Sequence, residues 1–129
     1  MLNKYFWLAL FWTTLITVLC LMKGSSLEGI NVVKLPNQDK VLHFIFYFIF
    51  TLCWFLTVKR RYGSSPKVMA FVFVFAMVYG ILVEFCQFAF ALGRSADVMD
   101  ALANTLGSAT AVLVIWLAKK YRSSKYPSV

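Results

Sequence analysis

Three short stretches hold the side chains able to do chemistry: Asp39-Lys40-x-x-His43-x-x-x-Tyr47, Glu84-x-x-Gln87 and Arg94-x-x-Asp97-x-x-Asp100-x-x-x-Asn104-x-x-Gly107. Spacings of three and four place such residues on one face of a helix. His43 with a carboxylate partner is equipped for general acid–base work, which makes His43, Glu84, Asp97 and Asp100 the candidate catalytic residues. Lys40 and Arg94 suit a phosphate or carboxylate headgroup, with Tyr47, Gln87 and Asn104 as further candidate ligand-binding groups. Asp39 at a helix start and Gly107 at a close helix approach read as structural. His43, Glu84, Asp97 and Asp100 are metal-ligand types, but no H-x-x-x-H or H-E-x-x-H spacing accompanies them. No metal or other cofactor is assigned. No serine, threonine or cysteine has a nucleophile elbow around it.

What makes these residues notable is their surroundings. Of 129 residues, 61% are hydrophobic and only 14% charged, with a mean hydropathy of +0.76. A soluble domain is about a quarter charged, so this composition belongs in a membrane. Apolar runs cover about residues 5–22, 41–58, 68–92 and 101–118, each long enough for a spanning helix of roughly 17–25 residues. The expected architecture is an all-α membrane protein, a bundle of four transmembrane helices forming one domain over residues 1–129. Ionisable groups inside such helices are expensive and mark function by default. An unpaired carboxylate at the depth of Glu84 costs roughly 2–4 kcal/mol, so it is protonated or paired with His43, Arg94 or Tyr47.

The net charge of +8 is unevenly spread. Lys4, the second connection (Lys59, Arg60, Arg61, Lys67) and the tail (Lys119, Lys120, Arg122, Lys125) carry no acid. The first and third connections mix lysine and arginine with Glu28, Asp39, Asp97 and Asp100. Positive charge favours the cytoplasmic side, so both termini are expected there and all three polar motifs at the outer boundary. The basic tail fits a topology signal and an anionic-lipid contact, not a nucleic-acid partner.

Local signals punctuate the runs. Pro36 to Asp39 reads as a turn and helix cap, Gly63-Ser64-Ser65-Pro66 as an inner turn with proline starting the third helix, Gly93 as a stop, and Ser95 or Asp97 as the fourth cap. The first run has no small-x-small cleavage site and reads as a retained helix. Cys20, Cys53 and Cys86 lie inside apolar runs and read as packing residues. Trp7, Trp12, Trp54 and Trp116 are expected at headgroup level, and the phenylalanines at lipid-facing or packing positions.

In order, spacing and placement, the three motifs over residues 36–110 resemble the VanZ-like family of small bacterial membrane proteins. The resemblance implies a plasma (inner) membrane protein with a cell-envelope role, since the family's namesake is associated with teicoplanin (glycopeptide) resistance. It does not supply a reaction. The leading expectation is an outward-facing polar pocket that binds or modifies a membrane lipid or cell-wall-related amphiphile. Two alternatives stand beside it: an assembly protein whose polar cluster is interhelical glue, and a small transporter. Oligomerisation is left open.

Overall fold

The computed structural model describes residues 4–21, 38–90 and 97–125. Among them are four helices: α1 (Lys4–Leu21), α2 (Gln38–Tyr62), α3 (Pro66–Phe90) and α4 (Val98–Lys125). All four are long and apolar enough to cross a membrane. The molecule is a multi-pass, all-helical membrane protein.

Helix ends follow local chemistry. Gly63 ends α2 at φ +74°, its N–H donating to the Lys59 carbonyl at 2.9 Å. A left-handed residue at that point is the usual glycine stop. Ser65 then caps α3, its Oγ accepting from the Val68 N–H at 3.2 Å, with Pro66 in the first position. Asp97 caps α4, Oδ1 accepting from the Met99 N–H at 2.8 Å. Of the turn and cap expected over Pro36 to Asp39, Gln38 and Asp39 already lie in the first turn of α2, while Pro36, Asn37, Ser95 and the stop at Gly93 lie outside the described residues.

Helices α2 and α4 exceed their apolar runs, reaching Tyr62 and Lys125 in place of the expected 58 and 118. The added turns hold Lys59, Arg60, Arg61, Arg122 and Lys125. These are good helix formers whose charge complements a helix C-terminus. Hydropathy finds the span; propensity and capping decide where the helix stops.

The helices alternate in direction. Arg60 at the end of α2 sits over the Tyr5 ring at the start of α1 (5.1 Å), and Lys119 of α4 donates to the Ser64 carbonyl just before α3. At the opposite end Gln87 of α3 reaches Cys20 of α1, and Lys40 of α2 reaches Asp97 beside α4. One end is therefore basic. The four described carboxylates, Asp39, Glu84, Asp97 and Asp100, belong to the other.

Helix α2 touches the other three and packs most extensively against α4, while α1 meets α2 and α3. The α2–α4 approach depends on a small-residue stripe, Ala103, Gly107, Ser108 and Ala111, all buried. A Cβ added to Gly107 would fall on the Phe44 carbonyl group, with the Phe44 carbonyl carbon at 3.0 Å and Cα at 3.1 Å. Close backbone approach through small residues is the usual means of helix association without a hydrophobic driving force.

Trp12 and Trp54 are tied into the bundle by their indole N–H groups. Both turn inward: Trp12 Nε1 donates to the Phe46 carbonyl (3.0 Å) and Trp54 Nε1 to Thr13 Oγ1 (3.1 Å). An indole buried in an apolar bundle needs an acceptor, and Thr13 supplies one from α1. Trp7 and Trp116 remain exposed. Below the polar layer, Phe50 stacks on Tyr79 with centroids 4.9 Å apart. A second core of Phe55, Val68, Met69 and Val72 fills the basic end.

Candidate functional site

Helix α2 carries Asp39, Lys40, His43 and Tyr47 at helical spacing, exposed or half-buried at Asp39 and Lys40 and fully buried by Tyr47. Helix α4 answers with Asp100 and Asn104, both buried, and Asp97 just before its first turn. Helix α3 contributes Glu84 and Gln87, also buried. The close approach at Gly107 holds α2 and α4 at the distance where these side chains meet.

His43 is the hub. Its Nδ1 lies 3.0 Å from Asn104 Oδ1 and 3.6 Å from Glu84 Oε1, and its Nε2 lies 3.9 Å from Asp100 Oδ2. Lys40 Nζ donates to Asp97 Oδ2 at 2.7 Å and lies 3.5 Å from Asp100 Oδ1. Asp100 thus turns one carboxylate oxygen to the lysine and the other to the histidine. At the aqueous edge, the Lys40 hydrogen bond, helped by the Met99 N–H, holds the Asp97 carboxyl below the usual carboxylate range.

Deeper in, Tyr47 and Asn104 flank Gly80 of α3. A Cβ there would meet Tyr47 Cε1 at 3.2 Å and Asn104 Cβ and Nδ2 at 3.3 Å. Tyr47 Oη and Asn104 Nδ2 are buried, and among the described residues neither has a hydrogen-bond partner.

The candidates from the three motifs therefore do not all converge. Lys40, His43, Glu84, Asp97, Asp100 and Asn104 share one connected layer. Asp39 joins it at the edge: its carboxylate, His43 and Asp100 each offer a ligand atom within 4.8 Å of the other two. Gln87 is committed elsewhere, its Nε2 donating to the Cys20 carbonyl of α1 at 2.7 Å. Arg94 lies outside the described residues.

The motif reading also passed over a second polar network joining α1 to the bundle. Tyr79 Oη hydrogen-bonds Thr17, and Thr13 accepts from Trp54. Its signal in the sequence was Thr13 and Thr17 four apart within an apolar run. Threonines in helices commonly satisfy themselves on the preceding turn, as both of these also do.

Residues 4–119 match the family described as VanZ/LLP1. The chain belongs to the VanZ/LLP1 family. An uncharacterized protein of Schizosaccharomyces pombe is 30% identical over 112 residues, covering 85% of this chain. The alignment spans 66% of that relative's length, just under two thirds. No solved structure matches the chain. The family match takes in all the residues of the polar layer, so the layer belongs to the shared unit and not to an appendage.

Proposed function

We propose that this VanZ/LLP1 protein binds the headgroup of an envelope amphiphile at its polar end. The observation carrying the reading is the layer itself: Lys40, His43, Glu84, Asp100 and Asn104 from three helices, set at one end of an otherwise apolar bundle. A ligand reaching that level must present polar groups to the layer and apolar groups to the helices beside it, which defines an amphiphile. Lys40 and Arg94 take the anionic part. His43 and Glu84 form the proton-handling pair, and Asp100 and Asn104 orient them. The basic residues at the opposite end support placing the polar end on the outer face of the plasma membrane with both termini inside. A relative in a fission yeast favours a lipid-like ligand common to different envelopes, with teicoplanin resistance as the specialised role the family resemblance implies.

A second reading has an observation of its own. Lys40–Asp97, His43–Asn104 and Gln87–Cys20 all join different helices, as the glue of a non-catalytic assembly protein would.

Native mass spectrometry of the full chain released from nanodiscs decides between them. Nanodiscs containing anionic phospholipid are expected to leave a retained lipid on the wild type. Lys40→Met and Arg94→Gln are expected to lose it while keeping the wild-type melting temperature. Equal retention in both variants, or release of lipid only together with unfolding, refutes the binding reading. A gain in teicoplanin susceptibility in the same variants would extend it to resistance.

A further inference from the structure

The hydrogen bonding of His43 fixes more than the position of its ring. Asn104 Oδ1, 3.0 Å from Nδ1, can only accept. With the Asn104 amide so placed Nδ1 is the donor, which in that tautomer leaves the lone pair on Nε2. His43 is 3% exposed, so its ring is enclosed by the helices around it. Asp100 Oδ2 lies 3.9 Å from Nε2, beyond hydrogen-bond length. Asp39, His43 and Asp100 each offer a ligand atom, all within 4.8 Å of one another. One imidazole nitrogen and two carboxylate oxygens in a single cluster are the donor types of a zinc site.

We propose that Asp39, His43 and Asp100 bind a divalent transition-metal cation of the zinc type, through one carboxylate oxygen from each aspartate and Nε2 of the histidine. Ligand atoms around a tetrahedral zinc ion stand roughly 3.4 Å apart, given bond lengths near 2.1 Å. The His43–Asp100 pair is already close to that spacing. Asp39, at the exposed start of α2, closes the set by a side-chain rotation.

The surroundings are those a metal site uses. A ligating histidine usually donates its other N–H to a carbonyl or carboxylate, which fixes its tautomer, and Asn104 accepts it here. Lys40 occupies only Oδ1 of Asp100, and its charge is taken mainly by Asp97 at 2.7 Å. Imidazole as a ligand favours zinc, copper, iron or nickel over magnesium and calcium, which prefer all-oxygen sites.

Three protein ligands leave a coordination position open, as in reactive zinc sites. An oxygen of an anionic headgroup would fill it. This deepens the amphiphile reading, and rests on it only for the occupant of the open position. It also resolves an electrostatic difficulty in that reading: Lys40 is bound to Asp97, so an added cation is better placed to attract an anion.

Cobalt serves as the probe. The full chain, purified in detergent and stripped with a chelator, is titrated with Co²⁺ alone. One equivalent is expected to bind with the visible absorption of a low-coordinate nitrogen–oxygen site, displaced by Zn²⁺ and not by Mg²⁺. Asp39→Asn, at an exposed position, and Asp100→Asn are expected to lose the band. Asp39→Asn should do so at an unchanged melting temperature. Asn104→Ala is expected to weaken binding roughly 10–100-fold through the freed imidazole.

Absence of saturable binding in the wild type would overturn the proposal. So would unchanged binding in Asp39→Asn, or a thiolate-to-cobalt charge-transfer band pointing to the cysteines. The lipid-retention measurement is separate: cobalt binding without retained lipid sinks the amphiphile reading alone, and retained lipid without cobalt binding sinks the metal alone.

Discussion

Gly107→Ala should loosen the α2–α4 seam and with it the polar layer. An added methyl group has nowhere to go, because its position coincides with the Phe44 carbonyl group and lies 3.0 Å from the carbonyl carbon. The obstacle is backbone, so no rotamer change relieves it and α4 itself must move. Overpacking of this kind costs about 1–3 kcal/mol. Against it stands the better helix propensity of alanine, worth up to about 1 kcal/mol. The net expectation is a destabilisation of about 1–2 kcal/mol. Gly80→Ala is the control: its Cβ would meet only side-chain atoms of Tyr47 and Asn104 at 3.2–3.3 Å. A few tenths of an ångström of movement accommodate it, leaving stability within about 0.5 kcal/mol of wild type once the propensity gain is included. Reversible unfolding in mixed micelles, followed by the fluorescence of the inward-facing Trp12 and Trp54, measures both. Because Asn104 is one turn from Gly107, the displaced helix also lengthens the His43–Asn104 hydrogen bond. The metal affinity expected above should therefore fall in Gly107→Ala more than in Gly80→Ala. A Gly107→Ala protein as stable as wild type, or less perturbed than Gly80→Ala, would refute the reasoning.

Two further outcomes follow from single contacts. Gln87 donates to a carbonyl in the last turn of α1, where intrahelical partners run out. Gln87→Leu is expected to cost about 0.5–2 kcal/mol, and hydrogen exchange should rise in the second half of α1 while α4 is unaffected; uniform change across the bundle would count against it. The Asp97 carboxyl is held below its ordinary range by Lys40. A carboxylate depressed in the folded state stabilises above its unfolded pKa and loses that contribution as pH falls through the folded value. Stability is therefore expected to decline on acidification below the ordinary carboxylate range, and Asp97→Asn should flatten that part of the profile. Because Asp97 is largely solvated, the effect is small, and a variant with the same acid slope as wild type would rule the contact out as a contributor.

The sequence made the helices and most of the polar layer legible because both are written in local spacing. His43 and Tyr47, four apart, can only share a face, and a bilayer forces that face inward. Less legible was how each stripe is divided among its neighbours. Gln87 follows Glu84 by three residues, yet its side chain reaches α1 while Glu84 approaches His43. Only the rotation of α3 decides that division, and no spacing encodes it. Nor does spacing encode the partners of the indoles: Trp54 Nε1 donates to Thr13 of α1 and Trp12 Nε1 to the Phe46 carbonyl of α2. Asp39 read as a helix start, and its closeness to Asp100 depended on α4 arriving alongside α2.

The same helix that carries Asp100 and Asn104 also offers the means of doing without them as glue. The small-residue stripe on α4 brings the two backbones together, and an interhelical hydrogen bond adds on average only about 0.6 kcal/mol. Leaving a buried donor unpaired costs about 1–3 kcal/mol. Tyr47 Oη and Asn104 Nδ2 are both in that position among the described residues. As an adhesive, then, the layer contributes less than an apolar substitute of the same shape. These two donors become favourable only when something supplies the missing acceptors. A headgroup oxygen would meet that need. The energetic imbalance at this end of the bundle thus favours a binding role over a purely adhesive one.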